Sequence, residues 1–398
     1  MKKFKPVLVL LIIFLIGACK SAQTSLNIIN INDAQGIRRY TTVYTLPKTV
    51  IRLNLKVERT IYKKGPYQQY ASSVLGLDDV ITEDKIQWRI SDFNFETYAS
   101  PDTNQIYLIE TVNNENSIQL KLSCEGLLEA VNHDQNMDLK SVNAIKTYTE
   151  IENPVLIQNT PKELKDLNFY DVPLPKELYS KKTVADEASF LATKILSLRD
   201  DRAAILVNDG YSQNIPSGET LRLMLSSIDS AQVKYLSMFK GKTYKENYTY
   251  SFDYSPTVPR KKTQMILFRF SDQFGIVEKD NVNGMPMIIE TESEENLKPY
   301  EQFNKTQGYL NKLASKRGKD NEKEKGLYYR IPEEAIVRLI ANDKVLGEKQ
   351  IQIAQFGAIH SLPIQYLDGN YKIEMYPELG SIKSIEKKEN YNLGKNKK

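Results

Sequence analysis

The sequence predicts an α+β fold: antiparallel β units near both ends of the mature chain, with a central helical hairpin. Three observations predict it. From Val50 to Glu58 apolar and polar residues nearly alternate, the period of a strand with one face on a core. Val184, Ala188, Leu191, Ile195 and Leu198 recur at spacings of 4, 3, 4 and 3, which is one stripe on a helix. Strand patterns then return from Tyr244 and again from Gly326.

The chain opens with Lys2, Lys3 and Lys5, followed by an unbroken apolar run from Val7 to Ile16. That run is too short to cross a bilayer as a stable helix and reads as the core of an export signal. Leu15-Ile16-Gly17-Ala18-Cys19 closes it with two small residues before a cysteine. The expectation is cleavage before Cys19 and acylation of its thiol, with residues 1–18 as signal peptide and 19–25 as tether. The bland alternative is an ordinary cleaved signal with Cys19 there by chance. Each buried methylene of an acyl chain contributes about 0.8 kcal/mol, and a single chain holds only marginally.

The N-terminal β region spans 26–125. Thr41–Pro47 leads into the alternating strand, Lys64-Gly65-Pro66-Tyr67 is a turn, and Tyr67–Leu75 is a short helix ended near Gly76. Ile86–Ile90, Asn104–Ile109 and Ile118–Cys124 are further strands. A polar, proline-punctuated connector covers 126–182. In the region 183–292, Thr183 caps the first long helix with Asp186 as its partner. Asn208-Asp209-Gly210 and Pro216 break the chain. Ser217 caps the second helix, whose stripe is Leu221, Leu225, Ile228, Tyr235 and Phe239, and Gly241 stops it. Strands follow at Tyr244–Phe252, Thr263–Phe270 and Met285–Glu290. Residues 293–325 form a charge-rich linker. A C-terminal β unit over 326–380 contains a hairpin turning at Asn342-Asp343-Lys344, and 381–398 is a basic tail.

The 398 residues suffice for two or three domains, and 41% hydrophobic content can build real cores. Removing Lys2, Lys3 and Lys5 leaves 51 Lys+Arg against 50 Asp+Glu, a net charge of +1 for the mature chain. No concentrated basic face points to nucleic acid. With Cys19 spoken for, Cys124 has no disulfide partner and reads as a small buried strand residue. His133 and His360 are isolated, so no zinc set and no metal or cofactor site is expected. There is no Gly-x-Ser-x-Gly elbow and no phosphate loop. Asp78-Asp79 and Glu83-Asp84 read as exposed turns or caps rather than the converging pair that glycoside hydrolysis needs. No catalytic residue is assigned.

Of the 24 tyrosines, Tyr248 and Tyr250 share one face of a strand. That face is either a surface for stacking on a glycan or anchoring a partner, or a sheet face packed on the helical hairpin.

Two segments echo each other: Tyr44-Thr45-Leu46-Pro47 with Arg52-Leu53, and Tyr329-Arg330-Ile331-Pro332 with Arg338-Leu339, offset by one residue. The same motifs, with Gly65-Pro66-Tyr67-Gln68-Gln69-Tyr70-Ala71, Leu75-Gly76-Leu77, Tyr235–Thr243 and Ala354-Gln355-Phe356-Gly357, resemble an uncharacterised Bacteroidota lipoprotein family, a domain of unknown function. The resemblance implies a Gram-negative envelope lipoprotein and transfers no catalytic or ligand residue. Surface-exported lipoproteins of that phylum often carry acids just after the lipidated cysteine. Lys20–Ser25 has none, which favours the periplasmic face of the outer membrane. The expected function is a non-enzymatic binding or accessory subunit with envelope protein partners. The alternatives are a glycan-binding lipoprotein using exposed tyrosines and an envelope hydrolase.

Overall fold

The structure, a computed structural model, describes residues 26–36, 41–111, 118–133, 168–169, 174–207, 218–257, 262–293, 326–367 and 369–388. Cys19, the tether, most of the connector, the charged linker beyond Ser293, the Ser217 cap and the last ten residues lie outside that set. The fold class is corrected: the chain is mostly β, 55% strand and 24% helical, rather than an α+β fold centred on a helical hairpin.

Among the described residues three antiparallel sheets carry the architecture. In the first the order is β1 (Leu26–Asn30), β3 (Lys85–Thr111), β2 (Thr41–Lys63), β6 (Lys242–Tyr254). The second runs β11 (Lys344–Pro363), β10 (Gly326–Ala341), β9 (Met285–Ser293), β7 (Lys262–Ser271), β8 (Gly275–Val277). The third joins two short hairpins in the order β13 (Ser381–Lys387), β12 (Tyr371–Tyr376), β5 (Leu128–Val131), β4 (Leu120–Leu122). Among the described residues the α-helices are α1 (Ala71–Leu75), α2 (Val184–Val207) and α3 (Glu219–Lys240).

The expectation erred because β2 and β3 do not stop where their patterns falter. At 23 and 27 residues they far exceed the usual five or six. They continue through Pro47 and Pro101 because the register shifts there, between Thr45 and Pro47. A proline without an N–H is tolerated at such a bulge.

Strand β2 threads three cores. Tyr44 and Leu46 enter one with β1, the end of β3, Leu327, Leu362 and Ile373 of the third sheet's β12. Ile51, Leu53, Leu55 and Val57 face Met287, Ile289, Val337, Leu339 and Ile353, which is the main sandwich between the first two sheets. Beyond Lys63, Tyr67 and Ala71 enter a third core with Ala188, Leu191, Ile195, Met238 and Phe239 of the long helices.

The sequence echo has a structural counterpart. Strands β2 and β10 are the second-to-central strands of facing sheets, each paired with its own hairpin partner (β3, β11) and with a strand from elsewhere (β6, β9). Pro47 and Pro332 both mark register shifts. Leu53 and Leu339 are both fully buried in the main core. Arg52 binds Asp253 of β6 through two hydrogen bonds of 2.7 Å, and Tyr98 of β3 donates to the same carboxylate at 2.9 Å. Arg338 likewise reaches both its neighbours, Glu290 at 3.0 Å and Glu292 on β9 and Glu348 at 2.9 Å on β11.

Where the sheets meet, Tyr44 closes the seam. Its hydroxyl accepts from the Tyr328 N–H at 2.9 Å and donates to the Tyr328 carbonyl at 3.2 Å, and Tyr107 stacks between the two rings. Replacing Tyr44 with Phe leaves both backbone groups unpaired and should cost about 1–3 kcal/mol in denaturant melts. Burial also holds the Tyr44 phenol well above the ordinary tyrosine range. Its contribution is therefore complete below about pH 10, where an unfolded tyrosine begins to ionise, and is lost as pH rises past that point. The wild-type chain should accordingly lose stability above pH 10 more steeply than Tyr44→Phe.

Candidate functional site

The motif residues singled out in the sequence gather at three joints. At the first, Arg330 is 3% exposed. Its guanidinium pairs with Asp102 in the bulge of β3, and its backbone N–H donates to Gly380 in the β12–β13 turn at 2.7 Å. Gly380, at φ +68°, sits so close to the Pro47 ring that a side chain would collide with it.

At the second joint Gln355 replaces a backbone ladder with a side chain. Its carbonyl accepts from the Thr49 N–H at 2.7 Å, and its amide donates to the carbonyls of Thr49 and Pro256, both at 2.9 Å. Thr49 Oγ1 accepts from the Ala354 N–H at 2.9 Å. Two residues on, Gly357 packs flat against the Ile331 carbonyl, where any Cβ would clash.

The third joint holds the helices. Gly65 lies directly against the Met238 carbonyl, the Tyr67 N–H donates to that carbonyl at 2.9 Å, and the Tyr67 hydroxyl donates to Glu187 at 3.1 Å. The Tyr67 ring lies 5.6 Å from Phe239. Thr183 caps α2 as its sequence predicts, accepting from the Asp186 N–H at 3.1 Å.

Beyond this base α2 and α3 bury no further side chain among the described residues. The buried positions of α2 are Ala188, Leu191, Ala192 and Ile195, all in its first half. Those of α3 are Met238 and Phe239, at its end. Beyond Ile195 the same helical spacing brings Arg199, Arg202 and then Leu206, which is 55% exposed. Val207, Leu223, Met224 and Val233 are exposed nearby in the chain. Arg202 and Asp229 tie the two helices together at 2.6 Å. Gly241, at φ +91°, ends α3 against the Lys63 carbonyl. Exposed apolar side chains carried on a helix pair mark a candidate contact surface.

The aromatic pair is placed otherwise than a glycan platform requires. Tyr250 is 6% exposed in the main core. Tyr248 is half-buried beside it, 5.4 Å from Trp88, and donates to Glu246 at 2.9 Å. Both rings pack under the second sheet, not on the helices. Arg59 joins this end of the sandwich, pairing with Glu246 at 2.9 Å and lying over Trp88. Burial first, then hydrogen bonding to Glu246, pushes the Tyr248 phenol up.

Cys124 is exposed rather than buried. Strand β4 ends at Leu122, and Cys124 falls in the turn that follows, where its bond to Glu125 raises the thiol above its usual range. The acid pairs are engaged in turns. Asp78 accepts from Ser72 at 2.8 Å, and Asp84 accepts from Lys63 and from the Lys64 N–H at 2.7 and 2.8 Å. Asp84 also lines an open depression with Glu83, Gln87 and Asp272. His133 lies 3.7 Å from Glu374, and His360 packs beside Tyr329. Among the described residues no group of three or more His, Cys, Asp or Glu is placed to hold a metal ion, and no helix is long and apolar enough to cross a membrane. The legible residues were those of the joints; the exposed half of the arm was read only as two helical stripes.

Fold and surface together define a three-sheet antiparallel β protein carrying a two-helix arm. The family model described as Domain of unknown function (DUF4831) matches residues 40–383, and the chain belongs to that family. No curated protein and no solved structure matches it.

Proposed function

We propose that this protein is a lipid-anchored outer-membrane lipoprotein of the Bacteroidota type, held on the periplasmic face through Cys19, and that it works by binding. It serves as a non-enzymatic accessory subunit of an envelope assembly, and its partner is another envelope protein that covers the distal arm. The observation that carries this reading is the arm itself. Its base is fixed by Gly65, Tyr67 and Glu187, while Leu206, Val207, Leu223 and Met224 further along the helices are exposed. The export signal ending in Gly17-Ala18-Cys19 supports the anchor. The burial of Tyr250 weighs against the glycan alternative.

The test is affinity purification of the tagged full chain from detergent-extracted envelopes, beside a Leu206→Asp/Met224→Asp variant. The reading predicts stoichiometric recovery of a particular envelope protein with wild type and its loss with the variant, at unchanged circular dichroism. Equal recovery from both chains would remove the arm from the interaction. Cys19→Ala should move the chain into the soluble envelope fraction, and its retention in the membrane pellet would refute the anchor.

A further inference from the structure

The two ends of β2 lead to different parts of that proposed function. Strand β1 begins at Leu26, opposite Thr111, and Thr41 pairs with the adjacent Glu110. The chain therefore arrives from its N-terminal side at the Thr41 end of β2, in the core shared with the third sheet. The arm leaves from the Lys63 end, where Gly241 and Gly65 pack on the strand terminus and on α3. Between Thr41 and Lys63 lie about 70 Å of extended strand at roughly 3.3 Å per residue.

We infer that the arm is presented tens of ångström from the bilayer, and that its partner is a protein surface held clear of the membrane, not a segment embedded beside the anchor. This rests on the proposed acylation of Cys19. Six residues, Lys20–Ser25, separate that cysteine from β1, and they span at most about 25 Å even when fully extended. The anchored pole is thus held at the membrane. The arm adds little freedom to return there: α2 is about 36 Å long, and its first half is fixed in the third core. The mature chain is close to neutral, with 51 cationic and 50 acidic side chains once Lys2, Lys3 and Lys5 are removed, so no net charge draws the long side of the body onto a lipid surface.

Energy transfer to acceptor lipids measures this directly. The full lipidated chain, with Cys124→Ser, is reconstituted into phosphatidylethanolamine/phosphatidylglycerol vesicles containing an acceptor-labelled lipid. One variant carries a donor at Thr42→Cys, the other at Ser226→Cys on exposed α3. Transfer from Ser226→Cys should be at most about one third of that from Thr42→Cys, given the roughly 70 Å of strand between the two ends of β2. Equal transfer would mean that the molecule lies flat, and would overturn the inference while leaving the anchor intact. Vesicle flotation separates the two failures: a chain that does not float refutes the acylation, and the inference with it.

Discussion

Replacing Arg330 with alanine should lower stability by about 3–5 kcal/mol, the usual cost of stranding one partner of a buried ion pair. The guanidinium is enclosed where β10, the β3 bulge and the β12–β13 turn meet, and burial lowers its pKa against the pull of Asp102. Removing it leaves the Asp102 carboxylate, itself largely buried, without its cation. An Arg330→Met/Asp102→Leu double variant should recover much of the loss, since replacing both partners with apolar groups of similar volume is often neutral. Denaturant melts of Arg330→Met, Asp102→Leu and the double variant read this coupling. If Arg330→Ala costs less than about 1 kcal/mol, the range of an exposed pair, the joint does not hold the sheets together.

Replacing Tyr67 with alanine should cost about 3–5 kcal/mol, as for other fully buried aromatic side chains, and the damage should be local. Tyr67 belongs to the helical core alone, while the sandwich core lies elsewhere along β2. The expected result is fast proteolysis within 184–240 with the β-sheet circular dichroism retained. Tyr67→Phe keeps the ring against Phe239 and loses the bond to Glu187, so it should cost about 1 kcal/mol. Cleavage of the sheets at the same rate as the helices would show one cooperative unit instead of a body with a separately supported arm.

These two residues also show what the sequence made legible. Tyr67 and Arg330 stand out within short motifs, and the Pro47/Pro332 echo marks two strands that do occupy matching places in facing sheets. The α2 stripe and its Thr183 cap are local features, and local periodicity is enough to find them. The sheets were harder. The alternation around Tyr248 and Tyr250 reveals a face but not its cover, because Phe268, Met287 and Val337 come from distant strands with no local signal of pairing. Strands β2 and β3 are longer than their local patterns show, because a shifted register lets them run through Pro47 and Pro101. Cys124 was read one turn too deep, since the alternation of Leu120–Leu122 ends just before it. The arm's open surface has no signature of its own: Leu206 falls at helical spacing from Ile195 by way of Arg199 and Arg202, and only the structure shows that Ile195 is buried and Leu206 is not.

Site-specific photo-crosslinking in living cells tests the central claim most directly, with the crosslinker placed in turn at Leu206 and Met224 on the distal arm and at Lys56 on the exposed face of β2. The account predicts a discrete crosslinked envelope protein from the two arm positions and none from Lys56. Crosslinks concentrated at Lys56, or an arm that captures nothing while the chain remains folded and membrane-bound, would contradict it.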